Sequence, residues 1–256
     1  MSLTIAVAGK GGTGKTTISG LLINYLSNLK KGNILAIDAD PNSNLGMVLG
    51  VKVNTSIGDI IEDMKKKIDN LQDMPGKMNK VDYINYMLEN IIEEKSNIDL
   101  LTMGRPEGPG CYCFINSTLR TGIDLLSKRY DFIVMDNEAG MEHLNRKITR
   151  NIDVLLIVSD STIRGIRTAV QIYGLIKILE LKISKTYLII NRVPENSNLE
   201  EIEKELSTSE LKIAGYIPED NLVTQYDLKG MPAVELPKES KILQASNKIF
   251  EKVLQS

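Results

Sequence analysis

The chain has 256 residues, 42% hydrophobic and 25% charged, an ordinary balance for a soluble globular protein with a large core. Its 31 Lys and Arg against 33 Asp and Glu leave a formal net charge of −2, so no global field favours nucleic acid or an anionic membrane. The N-terminus runs directly into a strand-like stretch without the charged lead of a secretory signal. No apolar run approaches the ~20 residues needed to cross a bilayer. Both cysteines sit in one short segment, which is no secreted disulfide framework. The expectation is a cytoplasmic protein with neither a membrane nor a nucleic-acid partner.

In chain order, Leu3 to Ala8 is the first predicted strand, and a helix over Thr16 to Leu29 follows a glycine-rich segment. Asn33 to Asp38 is the second strand. Thr55 to Asn97 is charged and is expected to be a helical lobe: Ile57, Ile60, Ile61, Met64, Ile68 and Leu71 follow helical spacing. Ser56 with Asp59 caps its start, and Pro75-Gly76 breaks the run. Strands are then predicted at Ile98 to Met103, Asp131 to Asp136, Asp153 to Ser159, Thr186 to Asn191 and Leu211 to Ile217. Between and after them come helices at Phe114 to Tyr130, Met141 to Arg150, Ile163 to Leu181, Leu199 to Leu206 and Lys238 to Leu254. In the last helix Ile242, Leu243, Ile249, Phe250, Val253 and Leu254 form one face, which ordinary core packing explains. The strands are rich in Ile, Val and Leu with little polar alternation, as suits strands covered on both faces. The pattern predicts an α/β fold with a mostly parallel central sheet, helices on both faces and right-handed crossovers. It reads as one domain over 1–256 with a helical insertion at about 55–97, without repeats or low-complexity tracts. In such sheets a ligand sits beyond the carboxyl ends of the strands.

Gly9-Lys10-Gly11-Gly12-Thr13-Gly14-Lys15-Thr16-Thr17 fits the P-loop pattern, with Gly9, Gly14, Lys15 and Thr16 at the fixed positions. Glycines let successive backbone N–H groups curl around a phosphate. The following helix turns its N-terminus toward the same anion. Lys15 then reaches the β and γ phosphates of ATP, or the β-phosphate of ADP, and the Thr16 hydroxyl holds Mg²⁺. Asp131 to Asp136 is an apolar strand ending in a carboxylate, the Walker-B pattern, so Asp136 is the second Mg²⁺ residue.

Lys10 lies inside the loop, where the phosphate cradle does not require it. Here the sequence resembles the deviant Walker-A ATPases: the nitrogenase iron protein, the cell-division and plasmid-partition ATPases, and metal-centre maturation ATPases. The resemblance implies that Lys10 crosses a dimer interface to the partner's phosphates. It makes Asp38-Ala39-Asp40-Pro41-Asn42 switch I, with Asp40 orienting the attacking water and Asp38 near the metal. Strand-end aspartates also serve as caps and turn residues, and that alternative stands for both. In the segment Asn137-Glu138-Ala139-Gly140, Gly140 is placed to approach a γ-phosphate, and Glu138 replaces the proline common in the class. Asn191 with Arg192, and Pro218, end two later strands where the class frames the adenine. An Asn amide both donates and accepts along a base edge.

Cys111 and Cys113 follow Gly108-Pro109-Gly110, and in an extended segment their side chains face the same way. Two thiolates fill half of a tetrahedral site, which a symmetric dimer would complete. His143 is the only histidine, which excludes a multi-histidine nickel site within one chain. Cys-Tyr-Cys, Asp-Ala-Asp-Pro-Asn and Asp-Asn-Glu-Ala-Gly-Met-Glu-His together resemble the CooC- and AcsF-type nickel-insertion ATPases. The resemblance runs over essentially the whole chain and implies an ATP-hydrolysing dimeric metallochaperone. Its clients would be carbon monoxide dehydrogenase or acetyl-CoA synthase, and its cargo Ni²⁺ or Zn²⁺ shared across the dimer by Cys111 and Cys113. The alternatives are an electron-transfer ATPase with an iron–sulfur cluster bridging the dimer, and a MinD-like positioning ATPase.

Overall fold

The computed structural model describes residues 2–69, 80–104, 121–139, 151–178 and 181–255. Within them eight strands form one sheet: β1 (Leu3–Gly9), β2 (Ile34–Asp38), β3 (Glu93–Lys95), β4 (Ile98–Thr102), β5 (Phe132–Asp136), β6 (Asn151–Asp160), β7 (Lys182–Val193) and β8 (Lys212–Pro218). Their order is β3-β4-β2-β5-β1-β6-β7-β8. All pairings are parallel except that of β3 with β4. The helices are α1 (Lys15–Leu29), α2 (Leu45–Leu49), α3 (Ile57–Asp69), α4 (Lys80–Asn90), α5 (described over 121–127), α6 (Ile163–Ile178), α7 (Glu200–Leu206), α8 (Asn221–Leu228) and α9 (Lys241–Gln255).

The strands lack polar alternation because both faces of the sheet are covered. Successive residues point to opposite faces, and here they enter two separate cores. Ala6, Ala8, Leu35 and Ile37 pack with Ile57, Ile60 and Met64 of α3 and Ile166 and Ile172 of α6. Ile5, Val7, Ile34 and Ala36 pack with Ile18, Leu21 and Leu22 of α1 and Ile249 and Phe250 of α9. The apolar face of α9 is therefore spent on the core: Ile242, Ile249, Phe250 and Val253 are buried. No helix among the described residues is long and apolar enough to cross a membrane.

The start of the expected helical lobe forms as read. The Ser56 N–H and Oγ both donate to Asp59 Oδ2 at 2.7 Å, and the Asp59 N–H returns to Ser56 Oγ at 3.3 Å. Its end does not, because Glu93–Lys95 is a strand rather than helix. A turn with Ser96 at φ +59° folds β3 back onto β4 as a short antiparallel edge, and its charged side chains suit an edge strand. Lys95 Nζ donates to the carbonyls of Leu49 and Gly50 at 2.8 and 3.3 Å, capping the end of α2. The short helices α2 and α8 were not expected; neither is long enough to show a period. β7 begins at Lys182, four residues before the predicted start. Of the predicted helix Phe114 to Tyr130, residues 121–127 are helical and a tight turn to Tyr130 closes them. The predicted helix Met141 to Arg150, residues 114–120 and Leu71 lie outside the described residues.

Candidate functional site

The parallel sheet gathers the carboxyl ends of β1, β2, β5, β7 and β8 along one edge, where the predicted nucleotide- and Mg²⁺-site residues among the described ones lie. β1 lies between β5 and β6, and the loop Gly9 to Gly14 leaves its end for α1. Glycine is obligatory at two points of this loop. Gly9 has φ +151°, and a Cβ there would sit 2.2 Å from the Val158 carbonyl oxygen. Gly14, the residue before α1, has φ +89°, and a Cβ would meet Asn191 Nδ2 at 2.5 Å. The first turn of α1 carries no acidic residue, so none of its own side chains offsets the partial positive charge of its N–H groups. Lys15 is buried, and its Nζ donates to the Lys10 carbonyl at 3.2 Å. Thr13 Oγ1 donates to that same oxygen at 2.9 Å. The Lys10 residue itself is exposed, as are Gly11 and Gly12, while Thr16 and Thr17 are half-buried.

Two carboxylates stand beside this loop. Asp38 and Asp136 are register partners on neighbouring strands and both are fully buried. Burial pushes Asp136 up to about 6, against hydrogen bonding from Thr16 and Ser19 and the charge of Lys15, with the Asp40 charge adding to the rise. Ser19 Oγ donates to Asp136 Oδ1 at 2.9 Å, and Asp136 Oδ2 is buried with no hydrogen-bond partner. A carboxylate oxygen left unpaired beside the Thr16 and Ser19 hydroxyls suits a hard divalent cation with oxygen ligands. Thr16 and Asp136 are thus brought together as expected of a Mg²⁺ pair. Ser19 was missed, although it lies one turn along α1 from Thr16, on the same face.

Asp38 is pushed up to about 7, chiefly by burial, against N–H donors from Leu45 and Asp40 and with the charges of Asp136 and Asp40 adding. Its Oδ2 accepts from the Leu45 N–H at 2.9 Å, so it caps α2 as well as facing Asp136. Asp40 Oδ1 accepts from the N–H and Nδ2 of Asn42 at 2.8 and 2.9 Å. Both aspartates therefore make the cap and turn contacts that strand ends invite, and Asp40 remains only partly buried.

The far end of the site holds a surprise. Asn191 is buried and donates from Nδ2 to the Thr13 carbonyl at 2.8 Å. Arg192 donates from a guanidinium nitrogen to the Gly12 carbonyl at 3.0 Å. Both residues expected at a base edge thus also hold the glycine-rich loop, and Asn191 Oδ1 is left without a hydrogen-bond partner. Pro218 ends β8 opposite Val193. Two residues further on, Asp220 caps α8 through Leu222 and accepts from Ser240 and from the Ile242 N–H at the start of α9. Cys111, Cys113, Gly140 and His143 lie outside the described residues. Among the described residues no group of three or more His, Cys, Asp or Glu is arranged to hold a metal ion.

The comparisons with known proteins agree with this geometry. The family model "CobQ/CobB/MinD/ParA nucleotide binding domain" matches residues 4–233. An uncharacterized ATP-binding protein of Methanocaldococcus jannaschii is 43% identical over 254 residues, 98% of each chain. The carbon monoxide dehydrogenase accessory protein CooC of Rhodospirillum rubrum is 30% identical over 244 residues, 91% of this chain and 90% of the relative. The septum site-determining protein MinD from Pyrococcus horikoshii, complexed with Mg-ADP, superposes with a TM-score of 0.70 at 25% identity, covering 99% of this chain and 96% of that one. The parallel sheet, the glycine-bounded loop with its buried lysine and the family match over most of the length lead to one conclusion: the chain belongs to the CobQ/CobB/MinD/ParA family of nucleotide-binding P-loop ATPases.

Proposed function

We propose that this protein is a Mg²⁺-dependent ATPase, one domain over 1–256 with an insertion near 55–97, that works as a nucleotide-gated homodimer in metal-centre maturation. The observation that carries the ATPase reading is the buried, unpaired Asp136 Oδ2 beside Thr16 and Ser19, which follow Lys15 in the first turns of α1. Thr16 and Asp136 would hold Mg²⁺, which when bound neutralises charge on the β- and γ-phosphate oxygens. Loop residues Gly9 to Thr17 cradle the phosphates through backbone N–H groups and the Lys15 ammonium. Asp40 orients the attacking water, and Lys10, exposed on the loop, reaches the partner's phosphates. The adenine lies toward Asn191, Arg192 and Pro218.

The maturation role rests on the resemblance carried by Cys111-Tyr112-Cys113 and on the similarity to the accessory protein CooC. In this reading Cys111 and Cys113 of two copies hold one nickel or zinc ion as cargo for carbon monoxide dehydrogenase or acetyl-CoA synthase. A membrane-positioning role would need an exposed amphipathic face, and the apolar face of α9 is buried in the core.

Metal analysis and sedimentation of anaerobically purified protein, with and without Mg-ATP, test the reading. One tight metal per dimer is expected, lost in the double variant Cys111→Ser, Cys113→Ser while ATP binding persists. One tight metal per monomer, or unchanged affinity in that variant, overturns the shared site. A wild-type protein that binds no Mg-ATP overturns the ATPase reading itself.

A further inference from the structure

At the end of β7 two consecutive residues do something that a regular strand forbids. Neighbouring residues of a strand project to opposite faces, yet Asn191 and Arg192 both reach the same loop. They donate to consecutive carbonyls, those of Thr13 and Gly12, at 2.8 and 3.0 Å. A β-bulge makes this possible. In the pairing of β7 with β8, Ile190 stands opposite Tyr216 and Val193 opposite Pro218, which leaves one extra residue in β7. Arg192 occupies the left-handed region at φ +55°, which non-glycine residues rarely adopt. Bulges of this kind re-aim a side chain beside a functional site, and strain held there signals a constraint worth its energy.

We infer that Asn191 and Arg192 are positioning residues that preorganise the phosphate cradle, rather than readers of the base alone. The inference rests on the nucleotide-site reading above. Its physical core is the planar trans peptide, whose C=O and N–H point in opposite directions. Holding the Gly12 carbonyl toward Arg192 turns the Thr13 N–H the other way, into the loop. That N–H already points at the Lys10 carbonyl, 3.5 Å away. Holding the Thr13 carbonyl toward Asn191 does the same for the Gly14 N–H. Without these anchors Gly12 and Gly14, both at positive φ, have wide rotational freedom, and binding a phosphate would have to order them. Donors fixed before the ligand arrives remove that entropic cost. The close fit of Asn191 against Gly14, where a Cβ has no room, locks the arrangement from the other side.

A base reader and a cradle-positioning residue differ in one measurable respect: the second acts whatever the base. Arg192 is exposed, so Arg192→Ala leaves the core intact, and Arg192→Lys retains one donor for the Gly12 carbonyl. Calorimetry of Mg-ATP and Mg-ITP would be paired with hydrogen exchange of the amides of residues 9–17 in protein stripped of nucleotide. Arg192→Ala is expected to weaken both nucleotides by the same factor, about tenfold for the loss of one charge-assisted hydrogen bond. It should also raise exchange across the loop, and Arg192→Lys should recover part of both effects. A loss confined to ATP, with ITP affinity unchanged, makes Arg192 a base reader and overturns the proposal. Unchanged exchange or unchanged affinity does the same. Failure of the wild-type protein to bind Mg-ATP strikes the nucleotide reading instead, and the exchange experiment still decides whether Arg192 holds the loop.

Discussion

The ammonium group of Lys15 donates to the carbonyl oxygen of Lys10, 3.2 Å away. Two lysines of one loop are thereby linked, with the buried one folded back on the backbone of the exposed one. A phosphate is a stronger, charged acceptor than a peptide carbonyl, so nucleotide should draw Lys15 off Lys10, leaving the Lys10 carbonyl to the Thr13 hydroxyl and N–H.

Lys15→Ala should therefore lose at least a hundredfold in Mg-ATP affinity, since a charge-assisted contact is worth roughly 1.5–3 kcal/mol and Lys15 would make one to each of the β and γ phosphates. Isothermal titration measures it, and near-normal affinity in that variant would sink the phosphate assignment.

Ser19→Ala removes a hydroxyl that donates to Asp136 Oδ1 at 2.9 Å between buried groups. A buried carboxylate stripped of a donor costs about 1–3 kcal/mol. Urea denaturation in the presence of a chelator should report a loss of that size. Saturating Mg-ATP should restore part of it by binding only the folded state.

Acidity should stabilise the metal-free protein. Asp38 and Asp136 are pushed up to about 7 and about 6, chiefly by burial. Between the unfolded value near 4 and these folded values, the native state holds more protons than the unfolded chain. The stabilisation is complete below about pH 4 and is lost as pH rises toward 7. Denaturation midpoints in EDTA should fall from pH 5 to pH 8, and Asp38→Asn should flatten that slope. A steeper slope in the variant would contradict the assignment of the effect to Asp38.

Phe250→Ala opens a cavity under α9. The ring is 1% exposed and lies 5.8 Å, centroid to centroid, from that of Tyr25 on α1. The expected loss is about 3–5 kcal/mol, read as a fall in the thermal midpoint. A loss under about 1 kcal/mol would place this face of α9 outside the core, where the surface-anchor reading needs it.

Much of this protein was legible one segment at a time. Most strands were visible because they are short apolar runs rich in Ile, Val and Leu, and the two cores explain why: alternate residues such as Ile5 and Ala6 are buried on opposite faces. The capping pair Ser56–Asp59 and the glycines of the phosphate loop act over a few residues, so spacing alone identifies them. β3 escaped notice because three charged residues carry no period; only pairing with β4 makes them a strand.

By itself the sequence determined most of the strands and the longer helices, and where the glycine-rich loop joins β1 to α1, because those choices rest on local sterics, periodicity and backbone chemistry. The tertiary structure alone decided which distant groups act on that loop. Ser19 meets Asp136 across 117 residues, and Asn191 and Arg192 grip Thr13 and Gly12 across 178 and 180. Those partnerships depend on the strand order that sets β1 between β5 and β6, with β7 next in line, and on one extra residue in β7 that turns Arg192. Strand order and register are set by the burial of both sheet faces at once, a property of the assembled layers that no single segment carries.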